Sequence, residues 1–126
     1  MGITNTGMAE VAKLIGTDTT SGAAAFDYLG FGTSSTAFNA TQDALVTQLD
    51  RVAGTGTTVQ TTVAGDTFQL VATHTAAGTE TITEAGMFNG SGTSGHMLSR
   101  LVFTGRVLDL NETLTITYKI QVKQGT

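Results

Sequence analysis

From Thr67 onward, apolar and polar positions alternate with a period of two, the pattern of strands buried on one face. Phe68, Leu70, Ala72 and His74 share one face of a strand predicted over 67–75, with Gln69, Val71 and Thr73 on the other. In the last strand Leu114, Ile116, Tyr118, Ile120 and Val122 face one way, and Thr113, Thr115, Thr117, Lys119, Gln121 and Lys123 the other. Between these lie two further runs, 81–89 and 96–103, joined by a glycine-rich stretch over 89–95. Two such runs with Asn-Gly chemistry between them predict a hairpin.

The N-terminal half reads differently. Asn5 or Thr6 caps a short helix that Gly16 ends, and Met8, Val11, Ala12 and Ile15 fall at helical spacing on one stripe. A helix this short needs packing to persist, so the stripe is expected to cover the sheet or a neighbouring subunit. A strand follows over 24–31, ending in a tight turn at Gly30-Phe31-Gly32-Thr33. That Gly-x-Gly-Thr lacks the Lys-Ser/Thr of a phosphate-binding loop. After a loop over 34–40, a second helix is expected over 41–51, started by Asn39 or Thr41. Its Leu45 and Leu49 are four apart, Val52 continues the face, and Asp43 and Arg51 suit the two ends of the helix dipole. Gly54-Thr55-Gly56 breaks the chain before a strand over 57–63 and a turn at Ala64-Gly65-Asp66.

Together these elements predict one mainly β domain spanning 1–126. The expected form is an antiparallel β-sandwich or jelly-roll-like barrel with two short helices in its N-terminal half. Residues 1–6 and 124–126 are candidate flexible arms.

Composition strengthens the β reading. About a fifth of the chain is threonine, which favours pleated, half-buried surfaces. Charged residues make up 13% of the chain, against roughly 25% in an ordinary domain, so much of the surface is neutral. The net charge of −4 and the scattering of Lys and Arg argue against nucleic acid as a partner. With no cysteine there is no disulfide and no thiolate ligand. Neither a signal-peptide pattern nor an apolar run of the ~20 residues that a membrane span needs is present, so a soluble chain made in a cytoplasm is expected, with no membrane partner.

Candidate chemistry is sparse. Glu84 and Arg100 sit on the two arms of the predicted hairpin, as either a catalytic pair or a structural tie. Four residues apart in a strand, Glu80 and Glu84 would share a face at ~13 Å, too far for a pair of glycosidase carboxylates. A tie is therefore expected, with Gly86 and Asn89 as further structural residues of that strand and its turn. His74 and His96 lack neighbours at metal-ligand spacing and read as a core and a turn histidine. Asp109, Asn111 and Glu112 could offer oxygens to Ca²⁺, but their order is that of a strand–strand turn. There is no Gly-x-Ser-x-Gly elbow. No catalytic residue, cofactor or metal is expected.

The run Thr81-Ile82-Thr83-Glu84-Ala85-Gly86-Met87-Phe88-Asn89 is followed by Gly95-His96-Met97-Leu98-Ser99-Arg100, Phe103 and Leu114-Thr115-Ile116-Thr117-Tyr118. With Gly30-Phe31-Gly32-Thr33 and residues 41–51, this pattern resembles small virion structural proteins of tailed bacteriophages, of the capsid decoration (cement) type. The resemblance spans roughly residues 25–122 and brings no catalytic residues with it. It implies a β-rich virion component without enzymatic activity, shared in pattern by decoration and tail-fibre-associated proteins; the favoured expectation is the capsid surface, after assembly in the bacterial host cytoplasm. Such a protein would bind the major capsid protein lattice as a homo-oligomer, a trimer being favoured. Met8, Val11 and Ile15 are the candidate partner contact. The alternative is a tail-fibre or adsorption-associated module that binds a host receptor or another tail protein.

Overall fold

The structure is a computed structural model that describes residues 2–16 and 24–125. Its elements in chain order are β1 (Gly2–Ile3), α1 (Asn5–Ile15), β2 (Tyr28–Gly32), β3 (Gln48–Ala53), β4 (Thr55–Val59), β5 (Thr67–Thr75), β6 (Glu80–Phe88), β7 (Met97–Leu108) and β8 (Thr113–Gln121). The chain is mainly β, and every strand pairing is antiparallel. Five strands form one sheet in the order β1-β7-β6-β2-β3, and three form another in the order β4-β5-β8. The sheets do not close into a barrel. No helix among the described residues is long and apolar enough to cross a membrane.

The period-two pattern correctly locates the C-terminal strands. β5 spans the expected residues, and β6 and β7 form the expected hairpin, though β7 runs on past 103 to Leu108. β8 presents Leu114, Ile116, Tyr118 and Ile120 to the interior, while Val122, expected on that face, lies exposed beyond it. One core lies between the sheets. Leu29, Phe31, Ile82, Ala85 and Met87 come from the five-stranded sheet and Leu70, Ala72 and Tyr118 from the other. Leu29, Phe31, Leu70 and Ile82 are wholly buried, each worth about 1.5–3 kcal/mol of transfer free energy.

The N-terminal half departs from expectation in four places. No second helix forms over 41–51: residues 41–47 are irregular and Gln48–Ala53 is an edge strand. An isolated helix of that length is marginal in water, while β2 offers an open strand edge to Gln48–Ala53. The segment 30–33 is not a turn; Gly30 and Gly32 lie inside β2, between β3 and β6. Residues 2–6 are not an arm, since Gly2 and Ile3 pair with Arg100 and Ser99 and Thr4 caps α1. The strand expected over 57–63 is shifted to Thr55–Val59, and 60–66 turns instead.

Helix α1 also seats itself on an unexpected face. Gly7 lies against Leu98 so closely that an added Cβ would stand 2.5 Å from the Leu98 carbonyl oxygen. Glu10 is buried beside it, whereas Met8 and Ile15 point outward. Close approach of the backbones, through a glycine, has overridden the apolar stripe.

Three glycines lower the floor of the five-stranded sheet. Across β7, β6, β2 and β3 one row of partners reads Arg100, Gly86, Gly30, Arg51, and the next reads Val102, Glu84, Gly32, Gln48. Their side of the sheet faces away from the main core. There Leu45, from the irregular 41–47 segment, packs with Phe88, Met97 and Tyr28 into a second small cluster. Segment 33–47 thus folds back over the sheet as a cover.

Gly32 tests how tight that cover is. A Cβ on Gly32 would meet the Thr47 carbonyl oxygen at 2.5 Å and Glu84 Cγ at 2.6 Å, and backbone cannot yield as a flexible side chain can. Gly32→Ala is expected to destabilise the fold by about 2–3 kcal/mol, in the range of core overpacking. By contrast, Gly65, at φ +75 with open space around it, has only its backbone conformation to lose on conversion to Ala, about 1 kcal/mol. Urea unfolding midpoints of the two variants check the order.

Candidate functional site

The centre of the covered face is the carboxylate of Glu84, which has no solvent exposure. Arg100 Nε donates to its Oε1 at 2.9 Å. The backbone amide of Val46 donates to the same oxygen at 3.0 Å. The amides of Ser34 and Thr47 donate to Oε2 at 3.0 and 2.9 Å. One side chain thereby holds both ends of the 33–47 cover and the neighbouring strand β7. Desolvation by burial pushes its pKa up, but the Arg100 hydrogen bond and the three amides outweigh it and hold the carboxyl below its ordinary value.

Arg100 is equally buried. Its Nη1 reaches Gln42 Oε1 at 3.4 Å, while Nη2 is without a partner among the described residues. The two residues are not directly opposite each other. Glu84 faces Val102 and Arg100 faces Gly86, so the pair is diagonal, and the bare Gly86 leaves room for the guanidinium to cross.

Around this pair the other expected residues fall into place. Gly86 lies under Leu45, with Leu45 Cδ2 and Met97 Sδ each 3.0 Å from where its Cβ would be. Asn89 closes the hairpin loop: its Oδ1 accepts from the His96 amide at 2.6 Å, and its Nδ2 donates to Glu10 at 3.3 Å. The loop is clamped from β3. Arg51 lies over the Phe88 ring at 3.4 Å and donates to the Gly90 and Ser94 carbonyls, while Gln48 donates to Gly92. Of the candidate partner residues, Met8 and Ile15 are exposed, but Val11 packs against the core. The stripe is split.

Glu80 and Glu84 do not share a face. Ile82 pairs with Arg106 and Glu84 with Val102, so β7 carries extra residues here and the alternation slips. Glu80 consequently points into the space between the sheets. There it meets His74 Nε2 in a short contact, while Asp50 Oδ2 lies 2.8 Å from His74 Nδ1. His74 belongs to β5 and the two carboxylates to β6 and β3, so the ring clips one sheet to the other. A neutral imidazole has one donor, but two carboxylates need two, which requires the imidazolium. Burial opposes that charge, yet the hydrogen bonds it donates to Glu80 and Asp50 prevail and the pKa is raised.

His74 is the core residue that the sequence predicts, but its two carboxylate partners went unread. The signal lay in Asp50, which alternation places on a strand only once 48–53 is read as one. The carboxylates sit at opposite ring nitrogens and do not converge on a point. Among the described residues no group of His, Cys, Asp or Glu is arranged to hold a metal ion.

A second polar tie between the sheets joins Ser99 Oγ to the Tyr118 hydroxyl at 2.6 Å, and burial pushes the phenol pKa up to about 12. Asp66 instead serves its own turn, accepting from the amides of Thr61, Thr62 and Val63. At 109–112 the chain makes the expected turn, with Asn111 at φ 68 and Glu112 accepting from the Asp109 amide.

No family model matches the chain, and neither a curated protein nor a solved structure matches it.

Two outcomes follow from this geometry. Glu84→Gln strands a buried guanidinium and is expected to lower stability by about 3–5 kcal/mol. Arg100→Met should destabilise as well, and the double variant should recover part of the loss; unchanged melting in both single variants would refute the tie. The His74 clip acts with the opposite pH sign to a carboxylate. Its pKa is raised by folding, so its stabilisation is complete below the unfolded value of about 6.5 and fades as pH rises through the folded value. Melting temperature should therefore fall across that window in the native chain, and this slope should vanish in His74→Gln.

Proposed function

We propose that this chain is a structural protein of a tailed-bacteriophage virion. In this reading it is a head-decoration protein that binds the major capsid protein lattice from outside, as a homo-oligomer with a trimer favoured, and has no catalytic role. The body that does this is a β-sandwich, a form consistent with two antiparallel sheets around one core. The resemblance of the 81–103 and 114–118 motifs to decoration proteins motivates the assignment.

The observation that carries it is the saturation of Glu84. The most conspicuous carboxylate of the motif has both oxygens occupied by four donors and no exposed surface, so it is spent on holding the fold. Arg100 and Arg51 are likewise committed to internal contacts. A motif whose carboxylate and arginine are spent on internal contacts specifies a rigid body. Rigidity is what a protein bridging neighbouring capsid subunits requires, because slack in the bridge would transmit no load.

Cryo-electron microscopy of the virion tests the assignment. Density for this chain on the head, over junctions of the capsid lattice, is the expected result. Density confined to the tail would overturn it in favour of an adsorption or fibre role.

A further inference from the structure

The two long sides of the double sheet are not alike. On one side β3 passes directly into β4 through Gly54, which packs against Leu70, so the sheets are joined at a corner. On the other side β7 and β8 are both edges. β1 pairs only with Ser99 and Arg100, so among the described residues β7 has no partner on that edge from Leu101 onward, and β8 has none on its outer edge. Between them runs an open groove of about 490 Å³ lined by Leu101, Phe103, Leu114 and Ile116, with Arg106 at its rim. The Ser99–Tyr118 bond lies toward one end and the 109–112 turn at the other.

Such an edge invites another strand, and natural sheets usually guard against it with charges or proline. The stretch from Leu101 to Leu108 contains no proline and one charge, Arg106. We propose that the β7–β8 side accepts an extended, acidic segment of a partner protein. Its backbone adds to a free edge, its alternate apolar side chains enter the groove, and a carboxylate meets Arg106.

Charge decides between a partner and a second copy. β7 and β8 contain no Asp or Glu, and Arg106, Lys119 and the adjoining Lys123 are half of the six basic residues in a chain of net charge −4. Pairing of these edges between copies would bring Arg106 and Lys119 no counter-charge, since neither strand has one to give. None of the ion pairs among the described residues includes Arg106. An acidic strand supplies what the edge lacks. The inference concerns the edge alone and stands whether the protein sits on the head or the tail.

The test uses the intact chain and a synthetic peptide alternating valine with threonine and glutamate, with a lysine-for-glutamate version as its counterpart. Amide hydrogen exchange is expected to show new protection within 101–108 or 113–121 on addition of the acidic peptide. Arg106→Glu, an exposed change, should weaken that binding by roughly fivefold or more and favour the lysine peptide. Three results would overturn the proposal: no protection of either strand at millimolar peptide, equal binding of both peptides by both proteins, or protection confined to β3 or β4. Protection of β7 and β8 in the free protein, together with a dimer in light scattering, would also overturn it by giving the edge to a second copy.

Discussion

A buried carboxylate surrounded by four donors is the interaction on which the rest of this structure depends. Glu84 could not stay charged without exposure to water unless its lost hydration were replaced, and Arg100 with the amides of Ser34, Val46 and Thr47 replaces it. In return the carboxylate fixes a long irregular segment that has no ladder of its own. Leu45 can then cover Gly30 and Gly86, and the small cluster with Phe88 and Met97 closes. That cluster, with the Glu84–Arg100 pair beside it, gives the five-stranded sheet a second buried face.

The two sheets are held together by apolar packing and by two polar ties of different character. Ser99–Tyr118 is neutral and insensitive over the physiological range, because burial keeps the phenol protonated. The His74 clip is ionic, its ring flanked at its two nitrogens by Asp50 and Glu80 of the opposite sheet. Glu84 and His74 respond to pH in opposite senses. The carboxylate loses its contribution in acid and the imidazolium in base, which confines maximal stability to the interval between them.

How far this was legible in the sequence depends on what local pattern can encode. Strands β5 and β8 alternate cleanly because each packs one face on the core, and the 81–103 hairpin declares itself by its Asn-Gly turn. The Glu84–Arg100 pair was readable too, since both lie on arms of that hairpin. The failures share a cause: a distant partner overrode a local preference. Residues 41–51 show helical spacing, but Val46 and Thr47 donate to a carboxylate 37 or 38 positions away and Gln48–Ala53 completes the edge of β2. Gly30 and Gly32 look like turn residues, yet they are bare because Phe88 and Glu84 lie across them. The bulge that separates Glu80 from Glu84 is carried by β7, so nothing within β6 announces it.

The central claim is that Glu84 anchors the 33–47 cover to the sheet. Native-state hydrogen exchange in the wild-type chain and in Glu84→Gln tests it most directly, residue by residue. The account predicts that the amides of Ser34, Val46 and Thr47 exchange slowly in the wild type and lose their protection first in the variant, ahead of β5 and β8. Protection of those three amides undiminished relative to β5 and β8 would contradict it.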